Sequence, residues 1–244
     1  MASAATITGR RKVVAAASAS ARGDAGTSSP DRVVEMIHQG VLSGRYVPGQ
    51  KLIEADLTQS LGISRGPVRE ALKRLSAEGI VEITRHRGAY IRIMTRRETE
   101  DLLAILEVLT MFMARTASAA VRNGDNADDV REAYEWLQEF KDGRIQDAAL
   151  LDSRRHFYDS LIAIGGNSQL QSVMPMMRIH LLRLQVQPFF SNSDRNARLE
   201  EYAAITAAVL AGDGPKAEQT MKVHIKKMRQ RISRLPSEAF ARDD

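Results

Sequence analysis

Residues 57–90, with the sequence LTQSLGISRGPVREALKRLSAEGIVEITRHRGAY, contain the pattern that decides the fold. The first of these residues predict a short helix that ends at Gly62 in a tight turn. A second helix is predicted over residues 65–77, because its apolar residues recur at spacings of four and three and so share one face. The residues of 80–83 and 89–93 then predict two strands that form a hairpin. The second helix is expected to bury Val68, Leu72 and Leu75.

Two arginines, Arg65 and Arg69, lie one helical turn apart at the start of the second helix. Two helices joined by a tight turn and followed by a hairpin are typical of a winged helix-turn-helix, in which the amino end of the second helix enters the major groove of DNA. An arginine there can bind guanine O6 and N7 with two hydrogen bonds. Ser64 and the free amides of the first helical turn suit a phosphate. For an isolated arginine pair, a solvated helix face would be the alternative.

The tip of the hairpin is basic and contains a glycine. His86 and Arg87 are predicted to lie along the minor groove or its phosphates, and Gly88 permits a positive φ and a close backbone approach to DNA. The hairpin therefore joins the second helix in one predicted DNA-binding surface. Its predicted DNA-contacting residues are Ser64, Arg65, Gly66, Arg69, His86, Arg87 and Gly88.

The charge of the chain is uneven. Residues 1–95 contain 14 Lys and Arg against 8 Asp and Glu, a net charge of +6, whereas residues 96–244 contain 21 against 22, a net charge of −1. A basic front half favours contact with a polyanion. The absence of cysteine excludes disulfides and thiolate metal sites, and no continuous apolar run approaches the ~20 residues that a membrane helix needs. The sequence therefore predicts a cytoplasmic protein without a membrane partner.

The chain divides into two domains between two tails. Residues 1–29 are predicted to be a disordered basic tail, and residues 30–94 the winged helix-turn-helix domain, whose first helix Ser29 would cap. Residues 96–237 show helical periodicity and predict a six-helix bundle, which makes the fold mainly α. Residues 238–244 are predicted to be a second tail. The helices of the bundle are expected near residues 96–123, 127–142, 145–164, 168–187, 195–211 and 214–234, with a kink at Pro175 in the fourth.

The front domain, over about residues 31–93, resembles the DNA-binding domain of the GntR family of transcription regulators. The residues that carry the resemblance are Pro48-Gly49, Leu52, Glu54, Leu57, the run LGISRGPVREAL from Leu61 to Leu72, Leu75, Glu78-Gly79 and Arg87-Gly88. The resemblance implies that Arg65, Arg69 and the tip at Gly88 contact DNA. Some members have a further DNA-contacting arginine in the preceding helix, where this chain has Ala55, so that contact is absent here.

The back domain, over about residues 96–234, resembles the FCD ligand-binding domain, which accompanies this winged helix in the FadR-type subgroup of the family. The residues that carry the resemblance are Leu106-Glu107, Phe157, Leu161, Gly166-Asn167 and Ala211-Gly212-Asp213. The resemblance implies a homodimer that binds palindromic operator DNA and takes a small organic ligand into the bundle.

Many members of that subgroup bind a metal through one aspartate and three histidines. In the family's register, the aspartate falls on Arg154 and two of the histidines on Tyr158 and Tyr202, whereas only His224 is kept. A phenol, with a reference pKa of ~10, is a poor metal ligand, and zinc normally requires three or more good protein ligands. The resemblance therefore favours an effector pocket without a metal or other cofactor, in which Tyr158, Tyr202 and His224 form hydrogen bonds and Arg154 binds a carboxylate. The alternatives are core packing for the tyrosines and a solvated position for Arg154.

A second register would place a divalent metal elsewhere on the same helix. Asp152 and His156 are four residues apart and could form half of a metal site with His224, but they lie on the opposite flank of the helix from Arg154 and Tyr158. A metal there would allow an enzyme that activates water. Against an enzyme, the sequence contains no HExxH motif, P-loop, nucleophile elbow or cysteine cluster.

The sequence as a whole predicts a transcription regulator and not an enzyme. Its most specific form is a repressor that a small carboxylate effector releases from operator DNA. An architectural DNA-binding protein with a purely structural bundle is the alternative. Two further polar residues, Arg178 and His180, are predicted to face solvent rather than the pocket.

Overall fold

The computed structural model describes residues 28–141 and 147–242, so the predicted amino-terminal tail lies outside the described residues except for its last two positions. The front domain has the helices and strands α1 Ser29–Leu42, β1 Lys51–Leu52, α2 Glu54–Leu61, α3 Arg65–Ala77, β2 Val81–Thr84 and β3 Gly88–Ile91. The strands form an antiparallel sheet in the order β1-β3-β2. The predicted winged helix-turn-helix is confirmed, and β1 adds a strand that is too short for a periodic pattern to mark.

The local structure of the front domain follows from a few residues. Gly62 ends α2 with a φ of 63° and a ψ of 35°, a left-handed conformation that glycine adopts without strain. The predicted inner face of α3 is confirmed, since Val68, Leu72 and Leu75 are all buried. The cap of α1 differs from the prediction: the hydroxyl of Ser28, not of Ser29, accepts a hydrogen bond from the backbone amide of Asp31 at 3.3 Å.

The back domain is an all-helical bundle, as predicted. Its helices are α4 Arg96–Arg122, α5 Asp128–Gln138, α6 Asp147–Gly165, α7 Ser168–Val173, α8 Met176–Val186, α9 Asn192–Leu210 and α10 Gly214–Ser233. The long helix α4 is central and packs against α6, α9 and α10. Thr95 and Glu98 form a capping box at its amino end, where each side chain binds the other residue's backbone amide.

The fourth predicted helix, near residues 168–187, is two helices. Met174 ends α7 in an extended conformation, with a φ of −67° and a ψ of 118°, as expected for a residue that precedes proline. Pro175 has no amide hydrogen to continue the helix, and α8 begins directly after it. The predicted kink is therefore a complete break, and α8 is a short, separate helix.

Helix α4 is long and apolar enough, by length and composition alone, to cross a membrane. Its residues Leu102, Leu106 and Met113 are buried against other helices of the bundle, and it also carries Glu107 and Arg115. This packing is that of a core helix.

The last described residues are not a free tail. Ala239 and Phe240 are buried, and the guanidinium of Arg96 lies 4.3 Å from the centre of the Phe240 ring. Gln185 in α8 donates to the carbonyl of Ala239 at 2.8 Å and exchanges hydrogen bonds of 2.9 and 3.0 Å with the backbone of Met94. The predicted tail over residues 238–244 is therefore wrong at residues 239 and 240, because a buried amide and a stacked arginine hold them.

The two domains meet at α8. Helix α1 packs against α8, and His180 lies there, 1% exposed, close to the backbone of Val41. Burial lowers the pKa of His180 to about 4, so the ring is neutral at pH 7. Arg178 is half-buried beside Gly79 of the front domain. The prediction that His180 faces solvent is wrong, because the front domain covers this side of α8, whereas Arg178 is only partly covered.

Candidate functional site

The amino end of α3 is exposed. Ser64 precedes the helix, and its hydroxyl makes no capping hydrogen bond; Arg65 and Gly66 follow at the surface. One turn further, Nε of Arg69 donates to Oε2 of Glu54 in α2 at 3.0 Å. Both side chains of this ion pair are well exposed, so the pair contributes little to stability. DNA can therefore compete with Glu54 for the arginine.

The tip of the hairpin between β2 and β3 is a tight turn. His86 has a φ of 102° and is the one non-glycine residue with a positive φ in the described part of the chain. Such a conformation costs ~1–3 kcal/mol in a residue other than glycine. The Tyr90 hydroxyl donates to the carbonyl of Arg87 at 3.0 Å, which supports the turn. Ser64, Arg65, Gly66, Arg69, His86, Arg87 and Gly88 are thus all exposed, and their contact with DNA stays a prediction.

Five helices of the bundle, α4, α6, α8, α9 and α10, enclose a small cavity. Its volume is about 40 Å³, which is room for about three water molecules. Its polar lining residues are Arg154, Tyr158, Arg183, Arg198, Tyr202 and His224. Its apolar lining residues are Leu103, Leu106, Ile179, Leu182, Val186, Ile225, Met228 and Ile232. The structure therefore brings together all four residues predicted for the effector pocket, although their binding of an effector stays a prediction.

Two arginines of the cavity are almost completely buried. Arg154 and Arg198 are each 2% exposed, and in both residues Nε and Nη2 have no hydrogen-bond partner. Nη1 of Arg154 donates to Oε1 of Gln187 at 3.4 Å, and the guanidinium of Arg198 lies 4.5 Å from the centre of the Phe190 ring. Burial lowers the pKa of Arg154 to about 10, and burial together with the charge of Arg154 lowers that of Arg198 to about 9. Both side chains are therefore charged at pH 7.

The aromatic side of the cavity is neutral. The Tyr202 and His224 rings lie 4.9 Å apart between centres, and burial raises the pKa of Tyr158, so its hydroxyl keeps its proton. Burial also lowers the pKa of His224. Nδ1 of His224 lies 2.7 Å from Oε2 of Glu201. Because a carboxylate only accepts hydrogen bonds, Nδ1 carries the proton of this neutral ring and Nε2 is free to accept.

The carboxylate of Glu201 is held outside the cavity. It accepts hydrogen bonds from His224 and from Arg231, whose Nη1 lies 3.2 Å from Oε2. Burial would raise its pKa, but these two hydrogen bonds and the nearby positive charge lower it to about 2. The residues that line the cavity include no aspartate or glutamate. The charges of Arg154 and Arg198 are therefore not matched by a carboxylate within the cavity wall.

Comparison with known proteins identifies the family of the chain. Residues 30–91 match the model of the family described as bacterial regulatory proteins, gntR family. Residues 101–227, which are more than half of the chain, match the model of the FCD domain. The chain belongs to the GntR family. It is a DNA-binding transcription regulator whose carboxyl-terminal domain is an FCD domain.

Individual relatives resemble this GntR-family protein along most of its length. It is 29% identical over 207 residues to the HTH-type transcriptional regulator LutR of Bacillus subtilis, which covers 76% of this chain and 92% of LutR. It is 24% identical over 199 residues to a protein of Paenarthrobacter nicotinovorans named "Probable D-xylose utilization operon transcriptional repressor", with 82% and 86% of the two chains covered. The solved structure of E. coli McbR/YncC shares the fold, with a TM-score of 0.69 at 19% identity over 85% of this chain and 98% of that chain.

The FCD resemblance suggests a metal site, but the residues at the four positions of this GntR-family protein do not fit one. Arg154 is a cation and Tyr158 keeps its proton, so His224, through Nε2, is the one good metal ligand among the four. Within residues 28–141 and 147–242, no group of three or more His, Asp or Glu side chains is placed to hold a metal ion.

The alternative register does not form a site either. Nε of Arg155 donates to Asp152 at 3.1 Å, and His156 is exposed with its ring 5.6 Å from that of Trp136. Neither Asp152 nor His156 lines the cavity that contains His224. The enzyme hypothesis required these three residues to meet, and the structure does not bring them together.

Sequence reasoning did not predict two arginines of the FCD cavity. Arg198 lies four residues before Tyr202 in α9 and therefore shares its face, so this spacing was a signal that could have identified it. Arg183 in α8 had no comparable signal, because its position depends on the break at Pro175. Its guanidinium lies 4.9 Å from the centre of the Tyr158 ring.

Proposed function

We propose that this GntR-family protein is a ligand-responsive repressor, in which a small carboxylate enters the FCD cavity and thereby releases operator DNA. The observation that carries the proposal is the pair of buried arginines, Arg154 and Arg198, whose Nε and Nη2 groups have no partner. An unpaired buried donor costs ~1–3 kcal/mol, and more when it is charged. A carboxylate in the cavity would satisfy these donors with charge-assisted hydrogen bonds.

Helix α8 offers a path from the cavity to the DNA-binding domain. On one side, Ile179, Leu182 and Arg183 line the cavity. On the other side, His180 is buried where α8 meets α1, and Gln185 binds the backbone at the domain junction. An organic acid exceeds the free volume of about 40 Å³, so its entry must move a wall. If the acid binds more tightly after α8 has moved, it shifts the placement of the DNA-binding domain.

On DNA, the protein would act as a homodimer on a palindromic operator. A two-fold dimer sets its two α3 helices about one turn of DNA, ~34 Å, apart. Arg65 and Arg69 would read base edges, whereas Ser64, the amide of Gly66 and the hairpin tip would contact phosphates. The name of the Paenarthrobacter relative, a transcriptional repressor, supports repression over activation. The site of action would be the cytoplasm, where bacterial DNA lies.

The test of this function is a titration of the protein's own upstream DNA, labelled for fluorescence anisotropy, at moderate salt with scrambled competitor present. A salt concentration is fixed because phosphate contacts make affinity strongly salt-dependent. We expect specific binding that weakens when a small organic acid is added. If the protein shows no preference for the upstream fragment, the proposal of specific operator binding is wrong. If it binds that fragment specifically but no acid or other small molecule changes the binding, the architectural alternative is favoured.

The Arg69→Ala variant is expected to lose about 1–3 kcal/mol of specific binding free energy and one base preference, because it removes the side chain that would bind a base edge. The measurement is anisotropy on the operator and on single-base variants of it. Arg131→Ala is the matched control, since Arg131 is also an exposed arginine paired with a carboxylate, that of Asp128 at 2.7 Å, but lies in α5 of the FCD domain. Equal operator affinity of the Arg69→Ala variant and the wild type would show that Arg69 does not read DNA.

A further inference from the structure

We propose that the FCD cavity binds a small aliphatic dianion, one negative charge for each of its two fully buried arginines. This inference rests on the proposed effector function and narrows it, because any carboxylate would satisfy that function whereas only a doubly charged ligand matches both arginines. The dianion would be a short dicarboxylate or a phosphate monoester, which share the chemistry that the cavity recognises.

Each of the two guanidinium groups has one edge without hydrogen bonds. Nε and Nη2 lie on the same edge of the planar group, the edge that binds two oxygens of a carboxylate or phosphate side by side. In Arg154 and in Arg198 these are the two atoms without a partner. The contacts with Gln187 and with the Phe190 ring orient the two side chains and leave that edge unused. Two residues from different helices, α6 and α9, thus present the same empty edge at one cavity.

The charge of the surroundings also favours a dianion. The charge of Arg154 contributes, after burial, to the lowered pKa of Arg198, so the two guanidinium groups repel each other. A single negative charge would pair with one guanidinium and leave the other buried and unpaired. Two carboxylates lie nearby but outside the cavity wall. Glu201 is held by His224 and Arg231, and Asp194, whose charge acts on Arg198, accepts a hydrogen bond from Ser191 and lies 3.9 Å from Arg231. The guanidinium of Arg183, a third positive charge at the wall, lies over the Tyr158 ring. The two buried guanidinium groups of Arg154 and Arg198 therefore carry a charge of +2 that no carboxylate of the cavity wall matches.

The apolar part of the cavity wall favours an aliphatic ligand body. Leu103 and Leu106 of α4, Ile179 and Leu182 of α8 and Met228 of α10 offer no hydrogen bond to a ligand hydroxyl. Against these side chains, methylene groups fit better than hydroxyl groups, because a hydroxyl buried there would have no partner and would cost free energy. Because a ligand must widen the cavity of about 40 Å³ to enter, a short ligand body requires the smallest displacement of the wall.

The test uses the full-length wild-type protein, isothermal titration calorimetry and four probes: glutarate, its monomethyl ester, butyrate and propyl phosphate. Glutarate and its monomethyl ester share a carbon skeleton and differ by one charge. We expect a dianion to bind about 10- to 100-fold more tightly than the monoanions, from the strength of charge-assisted hydrogen bonds. If glutarate binds more tightly than propyl phosphate, the ligand class is the dicarboxylates. If propyl phosphate binds more tightly, the ligand class is the phosphate monoesters.

Variants of the two arginines separate recognition from general electrostatics. In Arg154→Gln and in Arg198→Gln, the preference for the dianion over the monoanion is expected to disappear. The control is Arg155→Gln, which removes the same charge from α6 but lies outside the cavity, in ion pairs with Asp152 and Asp159. It should keep the wild-type preference. Circular dichroism checks that each variant is folded.

Two outcomes overturn the inference. One is equal affinity for glutarate and its monomethyl ester in the wild type, together with no advantage for propyl phosphate. The other is no saturable binding of either dianion at millimolar concentration. In both cases the proposed function is judged separately, by operator binding and by its response to other organic acids.

Discussion

Replacement of Glu201 by glutamine is expected to lower the free energy of unfolding by about 3–5 kcal/mol, the usual cost of breaking a buried ion pair. Glu201 is 6% exposed and receives hydrogen bonds from His224 and Arg231 across the interface between α9 and α10. A neutral amide would leave the buried end of Arg231 without its counter-charge and would turn an amide N–H toward Nδ1–H of His224. The measurement is urea-induced unfolding followed by circular dichroism at a fixed protein concentration.

The neighbouring residue provides the control for this prediction. Glu200 lies next to Glu201 in α9 but is exposed, so Glu200→Gln should change the free energy of unfolding by less than about 0.5 kcal/mol. The effect should also depend on pH. Because the pKa of Glu201 falls from its ordinary value of 4.5 to about 2 in the folded protein, its stabilisation is complete above pH 4.5 and is lost as the pH falls toward 2. Equal stabilities of the two variants at pH 7 would show that the Glu201 contacts do not matter.

The DNA-binding domain could be predicted from the sequence because its signals are local. The spacing of Val68, Leu72 and Leu75 defines the inner face of α3, and Gly62 supplies the left-handed residue that the turn requires. The two-residue strand β1 could not be predicted, since its pairing with β3 is a long-range contact with no periodic pattern. The same reason explains the buried segment at Phe240, because Arg96, which holds it, is distant in sequence at the start of α4.

The cavity could be predicted only in part. The family register named Arg154, Tyr158, Tyr202 and His224, and the structure places all four in one cavity wall. Spacing within a helix defines a face but not which helix covers that face. The exposure of His180 was predicted wrongly for this reason, because α1 of the other domain buries it. The charge of the cavity could not be predicted either, because one arginine lies in α6 and the other in α9, and their proximity depends on how the bundle packs.

Replacement of both buried arginines by methionine, in the double variant Arg154→Met/Arg198→Met, is expected to raise the free energy of unfolding of the ligand-free protein by about 1–4 kcal/mol. Buried charges that are replaced by apolar side chains of similar length often give gains of this size, and methionine adapts to an irregular apolar space. In each arginine, Nε and Nη2 make no hydrogen bond, so the replacement removes few stabilising interactions. The same variant should lose all stabilisation by glutarate or propyl phosphate, since ligand stabilisation follows from affinity for the folded state alone.

In the double variant, a higher free energy of unfolding together with a lost response to ligand would distinguish a binding role of the two arginines from a structural role. If Arg154 and Arg198 serve mainly to hold the bundle together through Gln187 and Phe190, the double variant will unfold at lower urea concentration than the wild type. If they are kept for a ligand, it will unfold at higher concentration and no longer respond to the dianions. Arg155→Met is the control, because Arg155 pairs with carboxylates at the surface of α6, and its loss should cost no more than about 1 kcal/mol.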